Sequence, residues 1–146
     1  MGDYRRPYQL EEHGLRYEFD APVTASALAD LRQSVGWNRM TADLADERLQ
    51  NAFHLCCFDG ERLIGYVAVV SNGGTDAYIQ DLMVHPDYQH QGVGRQLLQN
   101  VLDRLHADGV YMVSIIYGEA GLAHYYESFG FSTMLCGQME LRPGRD

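Results

Sequence analysis

The chain has 146 residues, of which 46% are hydrophobic, and a formal net charge of −9 at pH 7. This size and composition predict one globular domain over residues 1–146 with a core of its own. No apolar run approaches the roughly 18 residues of a membrane span, and the charged N-terminus does not resemble a signal peptide. We therefore expect a cytoplasmic protein without a membrane partner. The acidic charge argues against a nucleic-acid partner, which needs a basic surface, and suits a cationic partner such as an amine.

The cysteines and histidines predict neither a disulfide framework nor a metal site. Two of the three cysteines, Cys56 and Cys57, are adjacent in the sequence, which is not a metal-site spacing. We expect all three to be reduced thiols in the core. The six histidines form no H-x3-H pair, so the sequence predicts no metal cofactor.

The first third of the chain predicts a strand followed by two helices. Residues 1–13 show no hydrophobic period, which predicts an N-terminal tail or an arm packed onto the domain. Residues 15–19 alternate apolar and polar side chains in the strand period. Apolar residues at helical spacing and capping signals then predict helices over residues 24–36 and 41–52.

The remaining two thirds predict further strands around one crossover helix. An Asp59-Gly60 turn signal lies between two apolar runs and predicts a hairpin. A strand, helix and strand that follow in succession predict a crossover to a parallel neighbour. The predicted strands cover residues 54–58, 63–70, 78–84, 110–117, 131–135 and 138–141, and the helices begin near residues 93 and 120. The fold class is therefore α+β, with one mixed sheet and helices on both faces.

The loop that contains Gly92 and Gly94 joins the strand over residues 78–84 to the crossover helix. A helix start exposes unpaired N–H groups and the positive end of its dipole, and glycine lets a bulky anion approach the backbone. The loop lacks both the Lys-Ser/Thr pair of a P-loop and the three-glycine spacing of a dinucleotide fingerprint. The two glycines therefore indicate either a phosphate site or only a tight turn.

Two motifs in order resemble those of the GNAT superfamily of acyl-CoA-dependent N-acetyltransferases. The first is Gln89-x-x-Gly92-x-Gly94 directly after a strand that ends Val84-x-Pro86. The second resembles the family's Phe-Tyr-Glu-x-x-Gly-Phe motif. It is matched by Tyr125, Tyr126, Glu127, Gly130 and Phe131.

The resemblance implies a mostly antiparallel sheet of six or seven strands, about four helices and a V-shaped splay between two neighbouring strands. Acetyl-CoA would be the co-substrate, with its pantetheine arm in the splay. Met83 and Val84 would lend backbone hydrogen bonds, and the Leu82 N–H would polarise the thioester carbonyl. The pyrophosphate would lie at Gln89 and at the amides of Gln91, Gly92, Val93, Gly94, Arg95 and Gln96.

The resemblance also suggests catalytic side chains. Tyr126 matches the tyrosine that protonates the leaving sulfur in the family, although a purely aromatic packing role and an exchange with Tyr125 stay open. Family members often carry Glu or His where this chain has Tyr78 or Gln80, and neither of these is a useful base. Asp81 would be the base if the strand carries the family's bulge. The alternatives are that Asp81 pairs within the fold and that Gln80 orients a water.

The connection between the first two helices walls the acceptor site in the family, so Trp37 and Met40 become candidate contacts. The alternative for Trp37 is that it anchors the helix pair to the sheet. Tyr78, Gln80 and Glu119 complete the expected acceptor side, with Glu119 standing where family members carry Asn. The alternative for Glu119 is that it lies at the N-terminus of a helix only because the dipole favours an acid there. The first hypothesis is direct acetyl transfer to a small primary amine in a ternary complex. The others are a protein Lys or N-terminal acetyltransferase and a non-catalytic acyl-CoA-binding module. A homodimer would also fit the family.

Overall fold

The strands follow one another across the sheet in chain order. A computed structural model describes residues 9–146, and within them the sheet has six strands in the order β1 to β6. Neighbouring strands are antiparallel except β5 and β6, which are parallel. The strands are β1 Gln9–Glu12, β2 Leu15–Phe19, β3 Phe53–Asp59, β4 Arg62–Ser71, β5 Asp76–Val84 and β6 Met112–Ile115. The helices are α1 Ala25–Ser34, α2 Thr41–Leu44, α3 Val93–Ala107 and α4 Ala123–Glu127.

Alternation within β3 divides the core between the two faces of the sheet. Cys57 belongs to an apolar cluster that contains Leu97 and Leu98 of α3, whereas the adjacent Cys56 belongs to a cluster that contains Leu28 of α1. Successive side chains of a strand point to opposite faces, so one helix covers each face. The predicted α+β class with a mixed sheet and helices on both faces is confirmed.

Helix α3 packs against β4 at a position where the strand carries a glycine, Gly65. A Cβ atom at Gly65 would lie 3.1 Å from both Cys57 Cβ and Leu97 Cδ1. Such a contact is tighter than ordinary van der Waals packing, and a larger residue would push α3 away from β4. Gly65 therefore determines where the N-terminus of α3 lies relative to the end of β5.

β5 contains a bulge and then separates from β6. Tyr66 pairs with Met83 and Ala68 pairs with Gln80, so β5 carries one residue more than β4 in this stretch. Asp81 in the bulge has φ +56°, a left-handed conformation that Asp tolerates better than most residues. On its other edge, β5 pairs with β6 only as far as Ile79 and Ile115. The five residues that follow in β5 have no strand on that edge within the described residues, which gives the predicted splay.

The second helix is shorter than predicted. α2 is a single turn over Thr41–Leu44, whereas the apolar spacing predicted a helix up to residue 52. The Asp46 carboxylate accepts hydrogen bonds from both the backbone N–H and the guanidinium of Arg48. Short Asp side chains that bond nearby backbone groups in this way compete with helical hydrogen bonding, and they favour a turn.

The C-terminal segment also differs from the prediction. Residues 131–135 and 138–141 belong to no strand, and the side chains of Met139 and Leu141 are 82% and 86% exposed. Cys136 is exposed as well, so only Cys56 and Cys57 are core thiols.

At the other end, residues 9–12 pair with β2 as an arm, and residues 1–8 lie outside the described part of the chain. No helix in residues 9–146 is long and apolar enough to cross a membrane.

Candidate active site

The start of α3 presents backbone N–H groups without partners. Gly92 is the N-cap, with φ +88° and no side-chain cap. The first backbone hydrogen bond of the helix runs from the Gln96 N–H to the Gly92 carbonyl, at 3.0 Å. Within residues 9–146 the N–H groups of Val93, Gly94 and Arg95 have no hydrogen-bond acceptor. Together with the helix dipole they form a site suited to an anion.

Side-chain amides hold the loop that leads to this helix. Gln89 Nε2 donates to the Val84 carbonyl at 2.9 Å, and Gln91 Nε2 donates to the Asp87 carbonyl at 3.4 Å. Both glutamines are predicted coenzyme residues, and in the structure their side chains stabilise the loop. The Gln89 backbone N–H also donates to the Pro86 carbonyl, at 3.4 Å, so a backbone contact with the coenzyme would come from Gln91.

A cleft of about 500 Å³ opens between the end of β5, the start of α3 and α4. We call it the α3 cleft. It brings together most of the predicted coenzyme residues with the predicted acid, Tyr126. Its lining residues are Leu82, Val84, Gln89, His90, Gly92, Val93, Gly94, Arg95, Tyr125 and Tyr126.

Three predicted coenzyme residues do not line the α3 cleft. The Met83 side chain is buried on the α1 face of the sheet, so only its backbone is available. Gln91 and Gln96 line a larger cleft of about 840 Å³, together with Tyr88 and Glu12. Gly92, Val93 and Arg95 line both clefts.

Arg95 supplies a positive charge at the start of α3. Its guanidinium carbon lies 4.5 Å from the ring centre of Phe129 and 5.4 Å from that of Tyr125. Stacking on aromatic faces stabilises the guanidinium and orients it. A favourable local charge thus lies next to the free amides in a protein whose net charge is negative.

Tyr126 lies in a cluster of aromatic rings beside the α3 cleft. Its ring stacks on Tyr117 with a centroid distance of 4.7 Å and meets Tyr125 edge to face at 5.1 Å. Burial raises the pKa of the Tyr126 phenol, and the neighbouring Tyr125 and Tyr117 raise it further. The phenol is therefore neutral at physiological pH and able to donate a proton, as a general acid must be.

The sequence left two alternatives for Asp81, a place in a bulge of β5 and an ion pair within the fold, and the structure shows both. The bulge is present, and the Asp81 carboxylate also forms an ion pair with Arg32, with Nη1 and Oδ1 3.3 Å apart. Burial raises the pKa of Asp81, and the Arg32 guanidinium opposes that rise. A carboxyl whose pKa lies above its ordinary value accepts a proton more readily near neutral pH.

Arg32 also anchors the connection between α1 and α2. Its Nε donates to the Asn38 carbonyl at 2.7 Å, and its Nη2 donates to Asn38 Oδ1 at 2.8 Å. The guanidinium lies 5.4 Å from the Trp37 ring and 3.4 Å from the Met40 sulfur. The two predicted acceptor contacts, Trp37 and Met40, are thereby tied through Arg32 to Asp81, and Trp37 remains 41% exposed.

The other predicted acceptor residues do not line the α3 cleft. Tyr78 and Glu119 line a separate cleft of about 700 Å³ between residues 112–120 and residues 130–136, which we call the β6 slot. Glu119 precedes a 3-10 turn without capping it through its side chain. Gln80 lies opposite Ala68 in the bulged stretch and lines neither of these two clefts.

Sequence reasoning missed Arg32 and Tyr117. Arg32 lies on the same helical stripe as Leu28, Leu31 and Val35, and a charge in an apolar stripe signals a buried partner. Nothing in the sequence around Tyr117 indicates that its ring stacks on Tyr126. Within residues 9–146, no cluster of three His, Cys, Asp or Glu side chains is arranged to hold a metal ion.

Comparisons with known proteins agree on one family. A model of the acetyltransferase (GNAT) family matches residues 13–131. The uncharacterized N-acetyltransferase ycf52 of Gracilaria tenuistipitata var. liui is 27% identical over 120 residues, which are 79% of this chain and 65% of that protein. The [ribosomal protein bS18]-alanine N-acetyltransferase of Escherichia coli (strain K12) is 37% identical over 59 residues, 39% of this chain and 40% of that protein.

The solved structure of SA2161, a protein of unknown function from meticillin-resistant Staphylococcus aureus, superimposes with a TM-score of 0.71 at 25% sequence identity. The alignment covers 88% of this chain and 99% of that one. The chain spans less than two thirds of the length of the Gracilaria relative, at 65%. The likeness therefore covers the fold and both motifs, and it leaves part of that relative unmatched.

Proposed function

The chain belongs to the acetyltransferase (GNAT) family, and from that premise we propose that it transfers an acetyl group from acetyl-CoA to the primary amine of a small molecule. One observation carries the proposal. The free amides at the start of α3 open onto the cleft that also holds the neutral phenol of Tyr126 and the end of β5. Anion binding and proton donation are thus available within one cleft.

The residues of the α3 cleft fit acetyl-CoA, which supplies a thioester activated for acyl transfer. The amides of Val93, Gly94 and Arg95 bind the diphosphate, with the Arg95 guanidinium beside them. From Leu82 to Val84, β5 has no strand on the side away from β4 within the described residues, and this edge receives the pantetheine arm as a neighbouring strand would. The Val84 carbonyl already accepts a hydrogen bond from Gln89 Nε2. Gly94 leaves room at the helix start, because a Cβ there would meet nothing closer than Val84 Cγ2 at 3.7 Å.

Asp81 and Tyr126 transfer protons, and the backbone N–H of Leu82 stabilises negative charge. Asp81 takes one proton from the ammonium, directly or through a water, because an alkylamine with a pKa of about 10 is protonated at neutral pH. The Leu82 N–H stabilises the negative charge that develops on the carbonyl oxygen as the C–N bond forms. Tyr126 gives its phenolic proton to the departing sulfur as the C–S bond breaks, and takes the remaining proton from the nitrogen.

Replacing Asp81 by asparagine is expected to lower kcat/KM by about a hundredfold, the lower end of the range of 10² to 10⁴ for a general base. A protonated Asp81 cannot accept a proton, so wild-type kcat/KM falls as the pH decreases through the pKa of Asp81. Burial places that pKa above its ordinary value. The acidic limb of the pH profile should therefore be absent in Asp81→Asn. The measurement is a pH series of steady-state rates for both proteins.

Arg32→Lys is the matched control for this substitution. It keeps a cation near Asp81 and keeps the carboxylate, but it removes the two guanidinium hydrogen bonds to Asn38. We expect it to retain the acidic limb while raising KM for the amine. An unchanged pH profile in Asp81→Asn would instead assign the proton transfer to a water oriented by Gln80.

Contacts of residues 142–146 with the α1–α2 region support the proposal of a small acceptor. Arg142 and Arg145 both bind the Asp43 carboxylate at 2.6 Å, and the Met40 N–H donates to Asp146 Oδ1 at 3.3 Å. A peptide acceptor needs an open groove along this connection. Here the chain's own residues occupy part of its surface.

The likeness to the Escherichia coli bS18-alanine enzyme favours one second candidate, the N-terminal amine of a protein. The deciding experiment measures acetyl-CoA consumption with polyamines, arylalkylamines, amino acids and N-terminal peptides. Turnover of free amines but not of peptides supports the proposal, and the reverse order supports the second candidate. Acetyl-CoA binding without turnover of any acceptor would identify a non-catalytic binding module.

A further inference from the structure

The imidazole of His85, directly after β5, lies between two groups that can only donate hydrogen bonds. Its Nδ1 accepts the backbone N–H of Asp87 at 3.1 Å and so caps the 3-10 turn Pro86–Tyr88. Its Nε2 lies 3.1 Å from Nη2 of Arg62, on β4. A neutral imidazole keeps one ring nitrogen free to accept a hydrogen bond, whereas a protonated imidazole keeps none. The two contacts therefore require that His85 is neutral.

The charged and titratable groups around this ring come from three elements. The Asp87 carboxylate of the turn lies 3.9 Å from Nδ1, and the Arg62 guanidinium of β4 faces Nε2. The ring also meets Tyr88 edge to face at 6.2 Å. The Tyr88 hydroxyl donates to Asp59 of β3, a hydrogen bond that raises the pKa of the phenol. Because the Asp87 side chain is 73% exposed, it attracts a charged imidazole only weakly, and it does not replace the lost cap.

The turn that His85 caps also anchors the loop before α3. The Asp87 carbonyl accepts a hydrogen bond from Gln91 Nε2 at 3.4 Å, while the N–H of the same residue is the group that His85 caps. Gln91 immediately precedes Gly92, the N-cap of α3. Most side chains of residues 86–92 are exposed, so hydrogen bonds rather than core packing hold this loop. His85 is thus linked through Asp87 and Gln91 to the start of the helix.

We propose that protonation of His85 releases residues 86–92 and thereby weakens coenzyme binding at the start of α3. Histidine is the side chain that ordinarily changes its charge between about pH 5 and pH 8. A released loop must be ordered again when the diphosphate binds, and this ordering lowers the affinity. The affinity is therefore highest while His85 is neutral, and it falls as the pH decreases. The effect on binding rests on the proposed acetyl-CoA site, whereas the release of the loop does not.

Hydrogen exchange of the free protein tests the release of the loop. At about pH 5.5, the amides of residues 87–92 should exchange about tenfold faster in the wild type than in His85→Asn, the effect of one lost hydrogen bond. At about pH 7.5 the two proteins should agree. Asparagine caps a turn as histidine does here but does not titrate, and circular dichroism checks that the variant is folded. Equal exchange at both pH values overturns the inference.

Isothermal titration calorimetry tests the effect on binding. The probe is dephospho-coenzyme A, because a phosphate monoester such as the 3′-phosphate itself titrates near about pH 6. Wild-type affinity should fall about tenfold between about pH 7.5 and pH 5.5, and the affinity of His85→Asn should stay constant. His90→Asn is the matched control, since His90 lines the α3 cleft, and it should lose affinity as the wild type does.

The wild type alone gives a further readout, because coupling between two sites is reciprocal. Coenzyme binding should release protons at about pH 6.5, measured by calorimetry in buffers that differ in ionisation enthalpy. Proton uptake, an affinity that is constant or rises as the pH falls, or an equal loss in His85→Asn overturns the inference. A difference in exchange without binding at any pH would support the release of the loop and refute the proposed acetyl-CoA site.

Discussion

Replacing Tyr126 by phenylalanine is expected to lower kcat by about a thousandfold, within the range of 10² to 10⁴ for the loss of a general acid. The substitution removes the only atom that Tyr126 offers as a proton donor and keeps the ring that stacks on Tyr117 at 4.7 Å. KM for acetyl-CoA should therefore change little. The measurement is steady-state kinetics with the best acceptor from the amine series, at saturating acetyl-CoA.

Tyr125→Phe and Tyr117→Phe are the matched controls, because both remove a hydroxyl from the same aromatic cluster. The Tyr125 hydroxyl lies near Gly94 at the start of α3, so its loss should raise KM for acetyl-CoA more than it lowers kcat. Tyr117→Phe should affect mainly stability, since its hydroxyl bonds to Thr133. A larger loss of kcat in Tyr125→Phe than in Tyr126→Phe would transfer the acid role to Tyr125.

Replacing Gly92 by aspartate is expected to weaken acetyl-CoA binding by about thirtyfold. A carboxylate at the helix start competes with the diphosphate for the free amides, at a cost of up to about 2 kcal/mol, which corresponds to about that factor in affinity. The residue has φ +88°, and the backbone strain of a side chain there is present with and without the coenzyme, so it lowers the stability of the fold and not the affinity. Isothermal titration calorimetry with coenzyme A measures the effect.

Two controls separate charge from strain. Gly92→Asn matches aspartate in size and in its tolerance of the left-handed region but carries no charge, so it should lose much less affinity. Gly73→Asp places the same change in the turn between β4 and β5, at φ +83° and with nothing within 4 Å of the new Cβ. It should leave binding unaltered. Wild-type affinity in Gly92→Asp would mean that the diphosphate binds elsewhere.

Local patterns were sufficient to predict most of the sheet and the crossover helix. The Asp-Gly turn between β3 and β4 depends on neighbours in the sequence, and so does the apolar stripe of α3 from Val93 onward. Both were predicted for that reason and are confirmed. The end of α2 was wrong because the apolar spacing was read without the hydrogen bonds between Asp46 and Arg48, which form a turn.

The candidate site was predicted where it depends on motifs and missed where it depends on contacts between distant residues. The glycine loop and the Tyr126 motif are short, so their residues meet in the α3 cleft. The ion pair between Arg32 and Asp81 joins residues 49 positions apart in the sequence, and only the packing of α1 on the bulge brings them together. The strands predicted over residues 131–135 and 138–141 are absent because alternation in the sequence does not determine whether a segment finds a partner, and within residues 9–146 neither segment pairs with another strand.

The contacts of Arg32 limit which sequence changes in the α1–α2 connection can alter the acceptor preference of this protein. One guanidinium bonds to the carbonyl and side chain of Asn38 and to the carboxylate of Asp81. A new loop sequence around Trp37 that lacks an acceptor for this guanidinium would leave the cation without its partners in the loop and would loosen the contact between α1 and β5 at the same time. Positions 32, 38 and 81 should therefore be inherited together, and libraries that diversify the loop should vary them as a unit.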